Sequence, residues 1–77
     1  MCLSVPMKIE EIVGDKARCS AMGEERWVDL RLMPGARPGI GDYVQINRGF
    51  AQDIVPAAEA LQAYALFEEM LAILDGE

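Results

Sequence analysis

The sequence predicts a mainly β fold, a small five-stranded OB-like antiparallel β-barrel followed by a C-terminal α-helix. Three observations carry this expectation. Apolar residues alternate with a period of two in short runs through the first 55 residues. Glycine- and proline-bearing turns punctuate those runs. After Pro56 the apolar spacing becomes helical and contains no further turn signal until Gly76.

Met7, Ile9, Glu11 and Val13 alternate with Lys8, Glu10 and Ile12, which makes this run the first strand, ended by Gly14-Asp15. Lys16 to Met22 follows, with Ala17, Cys19 and Ala21 on one face and Arg18 and Ser20 on the other. Gly23-Glu24-Glu25 turns the chain. In the expected third strand, Arg26 to Leu32, Val28, Leu30 and Leu32 share one side, and Trp27, Asp29 and Arg31 the other. Residues 33–41 hold two prolines and three glycines and form a loop. Asp42 to Asn47 resumes the alternation with Val44 and Ile46 facing inward. Gly49 then interrupts it, as a bulge or sharp bend would, before Phe50 to Val55. Five short strands of this kind close most simply into a barrel, because closure removes exposed edges.

Pro56 suits a first helical turn, Glu59 complements the helix dipole and Gly76 can terminate the element. Turning 100° per residue places Ala63, Tyr64, Leu66, Phe67, Met70, Leu71, Ile73 and Leu74 on one half of this helix. That arc is wider than the ~100° stripe needed to dock on a core. Either the barrel needs a wide lid, or part of the face, with the adaptable Met70, is left for a partner. The expected organisation is one domain over residues 1–77, with the barrel in 1–55 and the helix in 56–75.

The 77 residues are 52% hydrophobic, enough for a core, and carry a net charge of −6. Residues 1–55 hold eight acids and all seven bases, whereas residues 56–77 hold five acids and no base. This balance argues against binding nucleic acid through its phosphates. No apolar run approaches the ~18 residues of a membrane span. No basic segment precedes an apolar stretch either, so a soluble, cytoplasmic protein without membrane contact is expected. Two cysteines, Cys2 and Cys19, are too few for a disulfide framework. The absence of histidine removes histidine triads and histidine zinc sites from consideration for this chain.

Cys2 is the residue with the clearest chemistry. Its small side chain permits removal of Met1, which would place a thiol and an α-amine on one terminal residue. Their reference pKa values lie near ~8.5 and ~8, so both basic forms are within reach at neutral pH. Either can ligate a soft or borderline metal. Pro6 fixes its own φ and biases Val5 towards an extended form, so the segment can project from the barrel. Cys19, between Ala17 and Ala21, reads as a small buried hydrophobe.

Met1-Cys2-Leu3-Ser4-Val5-Pro6 resembles the N-terminal M-C-x-x-x-P signature of the HypC/HybG/HupF hydrogenase-maturation chaperones. Gly41-Asp42-Tyr43-Val44-Gln45-Ile46-Asn47-Arg48-Gly49-Phe50-Ala51 resembles their second signature, G-D-Y-V-L-V-H-x-G-F-A. The resemblance covers essentially the whole chain. It implies a chaperone rather than an enzyme, one that binds a HypD-like scaffold protein and the precursor of the [NiFe] hydrogenase large subunit. It also implies transient iron carrying cyanide and carbonyl ligands, shared with a partner and held through Cys2. Residues matching the two signatures and the helix face, namely Cys2, Leu3, Val5, Pro6, Asn47, Phe50 and Met70, are the expected partner-binding set. Asn47 departs from the family's histidine. Asparagine cannot titrate or replace an imidazole ligand, so this protein lacks that function, a partner supplies it, or hydrogen bonding alone suffices there. The alternatives are a pure protein adaptor without metal and, against the charge balance, a nucleic-acid-binding barrel.

Overall fold

The computed structural model describes residues 5–75. Five strands form a closed barrel in the order β1-β2-β3-β5-β4, with β1 Met7–Val13, β2 Lys16–Ala21, β3 Glu24–Asp29, β4 Tyr43–Asn47 and β5 Phe50–Val55, followed by helix α1, Ala57–Asp75. The expected OB-like barrel with a terminal helix is the observed architecture. Cys2 and Leu3 lie outside the described residues.

Three two-residue hairpins set the register. Val13↔Lys16 flank Gly14-Asp15, Ala21↔Glu24 flank Met22-Gly23, and Asn47↔Phe50 flank Arg48-Gly49. Met22 and Gly23 adopt φ of 50° and 88°, and Arg48 and Gly49 adopt 56° and 83°. Both pairs have the double positive φ of a type I′ turn, whose twist matches that of the strands it joins. Gly49 is therefore a hairpin corner, the sharp bend among the expected alternatives. Because the second hairpin turns at Met22-Gly23, β3 begins earlier than expected.

That third strand also ends earlier, at Asp29 rather than Leu32. The Asp29 carboxylate accepts the Arg31 backbone N–H at 2.8 Å and its guanidinium at 2.7 Å. This side-chain turn diverts the chain out of the sheet. Leu30 still enters the core, but Leu32 is exposed, which corrects the expectation that both share the inner face. The pairing is also not wholly antiparallel. Strands β3 and β5 run parallel and touch at a single position, Asp29↔Phe50, where the Asp29 N–H donates to the Gly49 carbonyl at 2.9 Å.

In β1 the alternation breaks between Ile9 and Glu11, where the β1–β2 register shifts. The bulge turns Glu11 outward and brings Ile12 onto the core, reversing the parity expected after Ile9. The core itself is made by Met7, Ile9, Ala17, Cys19, Val28, Leu30, Val44 and Ala51.

The Pro56 carbonyl accepts the Ala60 N–H at 3.0 Å, so Pro56 caps the helix rather than belonging to it. Ala60 is buried, and Ala63, Tyr64 and Phe67 are half-buried at i, i+3, i+4 and i+7. The distal turns leave the barrel, with Ile73 77% and Leu74 74% exposed. Of the two readings of the wide apolar arc, a full lid is not what the helix forms.

Candidate functional site

The described chain enters the barrel at Val5 and Pro6. Pro6 is buried, and its carbonyl accepts a hydrogen bond from the Tyr64 hydroxyl. Tyr64 packs edge-on against Tyr43, ring centroids 6.0 Å apart and planes at 60°. Burial raises the Tyr64 phenol above its ordinary pKa, with Tyr43 and Cys19 adding to the effect, so the hydroxyl remains a donor. Helix, β4 and the start of β1 are thus tied together at the point where the N-terminal segment leaves.

Beside this tie lies an open groove of about 930 Å³. Its apolar side includes Val5, Met7, Phe67 and Leu71. Its polar side includes Arg26, Arg48, Asn47 and Gln52. The groove is the unsealed mouth of the barrel. Glu24 and Arg26 have the same strand parity as buried Val28 and Leu30, yet both are exposed. Gln52 is the extra residue of a register shift between β4 and β5, which opposes Ile46 to Ala51 and Gln45 to Asp53.

The charges divide into two kinds. Lys16 and Arg31 bind Asp29, Arg18 binds Glu11 and Glu25, and Arg37 binds Asp15. Among the described residues, Lys8, Arg26 and Arg48 have no such partner, and the two arginines line the groove together with the carboxylate of Glu24. A net-acidic chain therefore keeps two uncommitted guanidiniums at this mouth.

Among the expected site residues, Val5 and Asn47 line the groove, and Pro6 lies in the chain between the lining residues Val5 and Met7. Asn47 is exposed at the end of β4, where its amide can donate or accept. Phe50 is half-buried across the hairpin from Asn47 and is absent from the groove lining. Met70 is exposed on the helix next to Leu71 and also lies off the groove. Arg26, Arg48, Gln52 and Phe67 were not anticipated. For Arg26 the signal was present in the sequence, a cation at the inward parity of a strand whose next two inward residues are Val28 and Leu30.

Cys19 is fully buried, its sulfur 3.9 Å from the Ala17 carbonyl oxygen. Burial pushes its thiol up to about 11, with Glu10 adding to the shift. It stays protonated near neutral pH and acts as a small apolar side chain, as expected from its strand position. Among the described residues no three His, Cys, Asp or Glu side chains gather in a metal-sized cluster. No described helix is long and apolar enough to cross a membrane.

Comparison with known proteins gives a consistent result. The profile of the HupF/HypC family matches residues 1–67. Hydrogenase maturation factor HypC of Escherichia coli strain K12 is 31% identical over 77 residues, covering 95% of this chain and 86% of that protein. Its counterpart from Azotobacter chroococcum is 31% identical over 78 residues, covering 100% and 90%. The hydrogenase expression/formation protein HupF of Bradyrhizobium diazoefficiens is 35% identical, covering 100% of this chain and 76% of its own.

Proposed function

This chain belongs to the HupF/HypC family of hydrogenase maturation factors, and on that premise we propose that it carries an iron–cyanide–carbonyl group between partners through Cys2. In this reading the partners are a HypD-like scaffold protein and the precursor of the hydrogenase large subunit. The iron group is cargo, held briefly and passed on.

The observation that carries the proposal is the geometry at Val5. Val5 lines the groove, and Pro6 behind it is tied to Tyr64. Three residues of chain span at most about 11 Å, so a group held by Cys2 is within reach of the groove mouth. Iron(II) with two cyanides and a carbonyl is neutral, and each thiolate ligand adds one negative charge. Arg26 and Arg48 outnumber the one lining carboxylate, Glu24, and so suit such an anion, and Asn47 and Gln52 add neutral donors. A soft thiolate matches low-spin iron, and a single bond from the carrier leaves the group transferable.

The test is anaerobic co-purification with the organism's HypD-like scaffold, wild type against Cys2→Ala, read by infrared spectroscopy in the cyanide and carbonyl stretching region. Bands present in the wild-type complex should be lost or displaced in the variant. Identical bands with undiminished binding would make the chain an adaptor that holds no iron through Cys2, the reading that non-titrating Asn47 would then favour.

A further inference from the structure

We propose that the outer edge of β3 is a strand-addition site, at which an extended segment of the scaffold partner pairs with Glu25 and Trp27. The inference rests on the function proposed above for the identity of the partner. Its structural basis is independent of Cys2.

Strands β3 and β5 close the barrel at one position only, Asp29↔Phe50. The direction of every backbone group along β3 follows from two facts. Ala21↔Glu24 closes a two-residue hairpin, and such a closing pair exchanges hydrogen bonds. Glu24, Arg26 and Val28 therefore point their N–H and C=O groups at β2. Asp29 points the other way, since its N–H donates to Gly49 beyond the seam. By the same alternation, the N–H and C=O groups of Glu25 and Trp27 face the seam. Among the described residues no strand pairs with them there. Two donors and two acceptors in a row, at extended geometry, form a template for another strand.

The side chains around this edge are as exposed as its backbone. Trp27 stands 51% exposed on the outer face. Glu24 and Arg26 are exposed on the inner face, where Arg26 borders the groove with Arg48. Across the seam, Ile54 remains 45% exposed although its cross-strand partner Val44 is fully buried. An added strand would alternate in the same way. Its outward side chains would meet the Trp27 indole, and its inward ones a face where the guanidiniums of Arg26 and Arg48 outnumber the carboxylate of Glu24. The segment that fits alternates apolar with acidic residues. A second copy of this chain fits poorly, because self-pairing sets the same edge residues against one another and each copy carries −6.

The test measures amide hydrogen exchange by NMR on isotope-labelled chain, free and in complex with the unlabelled HypD-like scaffold. Exchange at Glu25 and Trp27 should slow by roughly tenfold or more on binding, with Arg26 and Val28, bonded to β2, as the internal reference. Glu25→Pro removes one outward N–H and spares the β2 ladder, since proline is tolerated on an edge strand with that group outward. It should weaken scaffold binding by roughly fivefold to tenfold, whereas Glu25→Ala, which keeps the N–H, should change it by less than about twofold. Unchanged exchange at both amides in the formed complex would overturn the inference while leaving the proposed function standing. Protection of the same amides in the free chain, rising with its concentration, would assign the edge to self-association and overturn it as well. If the wild-type chain forms no complex at all, the proposed function fails and this inference with it.

Discussion

The Asp29 carboxylate gathers the Arg31 backbone N–H, the Arg31 guanidinium and the Lys16 ammonium, the last at 3.4 Å, while only 5% of the residue is exposed. Hydrogen bonds from Arg31 side chain and backbone hold its pKa well below the ordinary carboxylate range, against the opposing effect of burial. A group with a depressed folded pKa contributes stability that is fully present above its unfolded value, about 4, and lost as pH falls through the folded one. Asp29→Asn should therefore lower the urea midpoint at pH 7 and flatten its decline below about pH 4. An acid limb with the wild-type slope would show that other carboxylates set it. The parity of β3 put Asp29 among the outward polar residues. It is instead buried while bonded to Arg31 and Lys16, and strand periodicity carries no information about that.

At the scale of elements, Tyr64 joins α1 to the entry of β1 through one hydroxyl. Tyr64→Phe keeps the ring contact with Tyr43 and loses the bond to Pro6. It should cost about 0.5–1.5 kcal/mol in chemical denaturation and speed amide exchange in the first helical turns more than in β2. A loss confined to the global unfolding energy would mean that the helix docks without this bond. Most element boundaries were legible because hairpins announce themselves through glycine, and Gly14, Gly23 and Gly49 mark three corners. The shortened β3 and the shifted parity of β1 were harder to read. A bulge adds one residue without any special composition, and only the pair Glu10-Glu11, with Ile12 three residues after Ile9, hinted at it. The groove was half legible. Val5 and Asn47 came from the two signatures, whereas Arg48, Gln52 and Phe67 arise from a turn, a bulge and a helix packing angle.

The whole molecule is longer than a compact barrel. Its extents are 44 × 21 × 21 Å and its Cα radius of gyration is 13.0 Å. A globular chain of this length would have a radius of about 11.5 Å. The excess comes from α1, whose 19 residues at about 1.5 Å each outrun the barrel they start from. Leu71 is the last helical residue that lines the groove. Removing residues 72–77 should therefore shift barrel stability by less than about 0.5 kcal/mol in a urea titration. A larger loss would mean that the terminal turn braces the barrel.

The closure of this barrel also imposes an order of assembly. Its three tight hairpins join strands adjacent in sequence, and such units form within microseconds. The pairing of Met7 with Val44 and the lone β3–β5 contact must instead wait for the long loop to bring distant segments together. During synthesis the first two hairpins can be complete while β4 is still being made. The nascent chain would then present a three-stranded meander with Trp27 on its free outer strand. Of the two seams that must wait, β3–β5 is also the one that stays least closed in the finished protein.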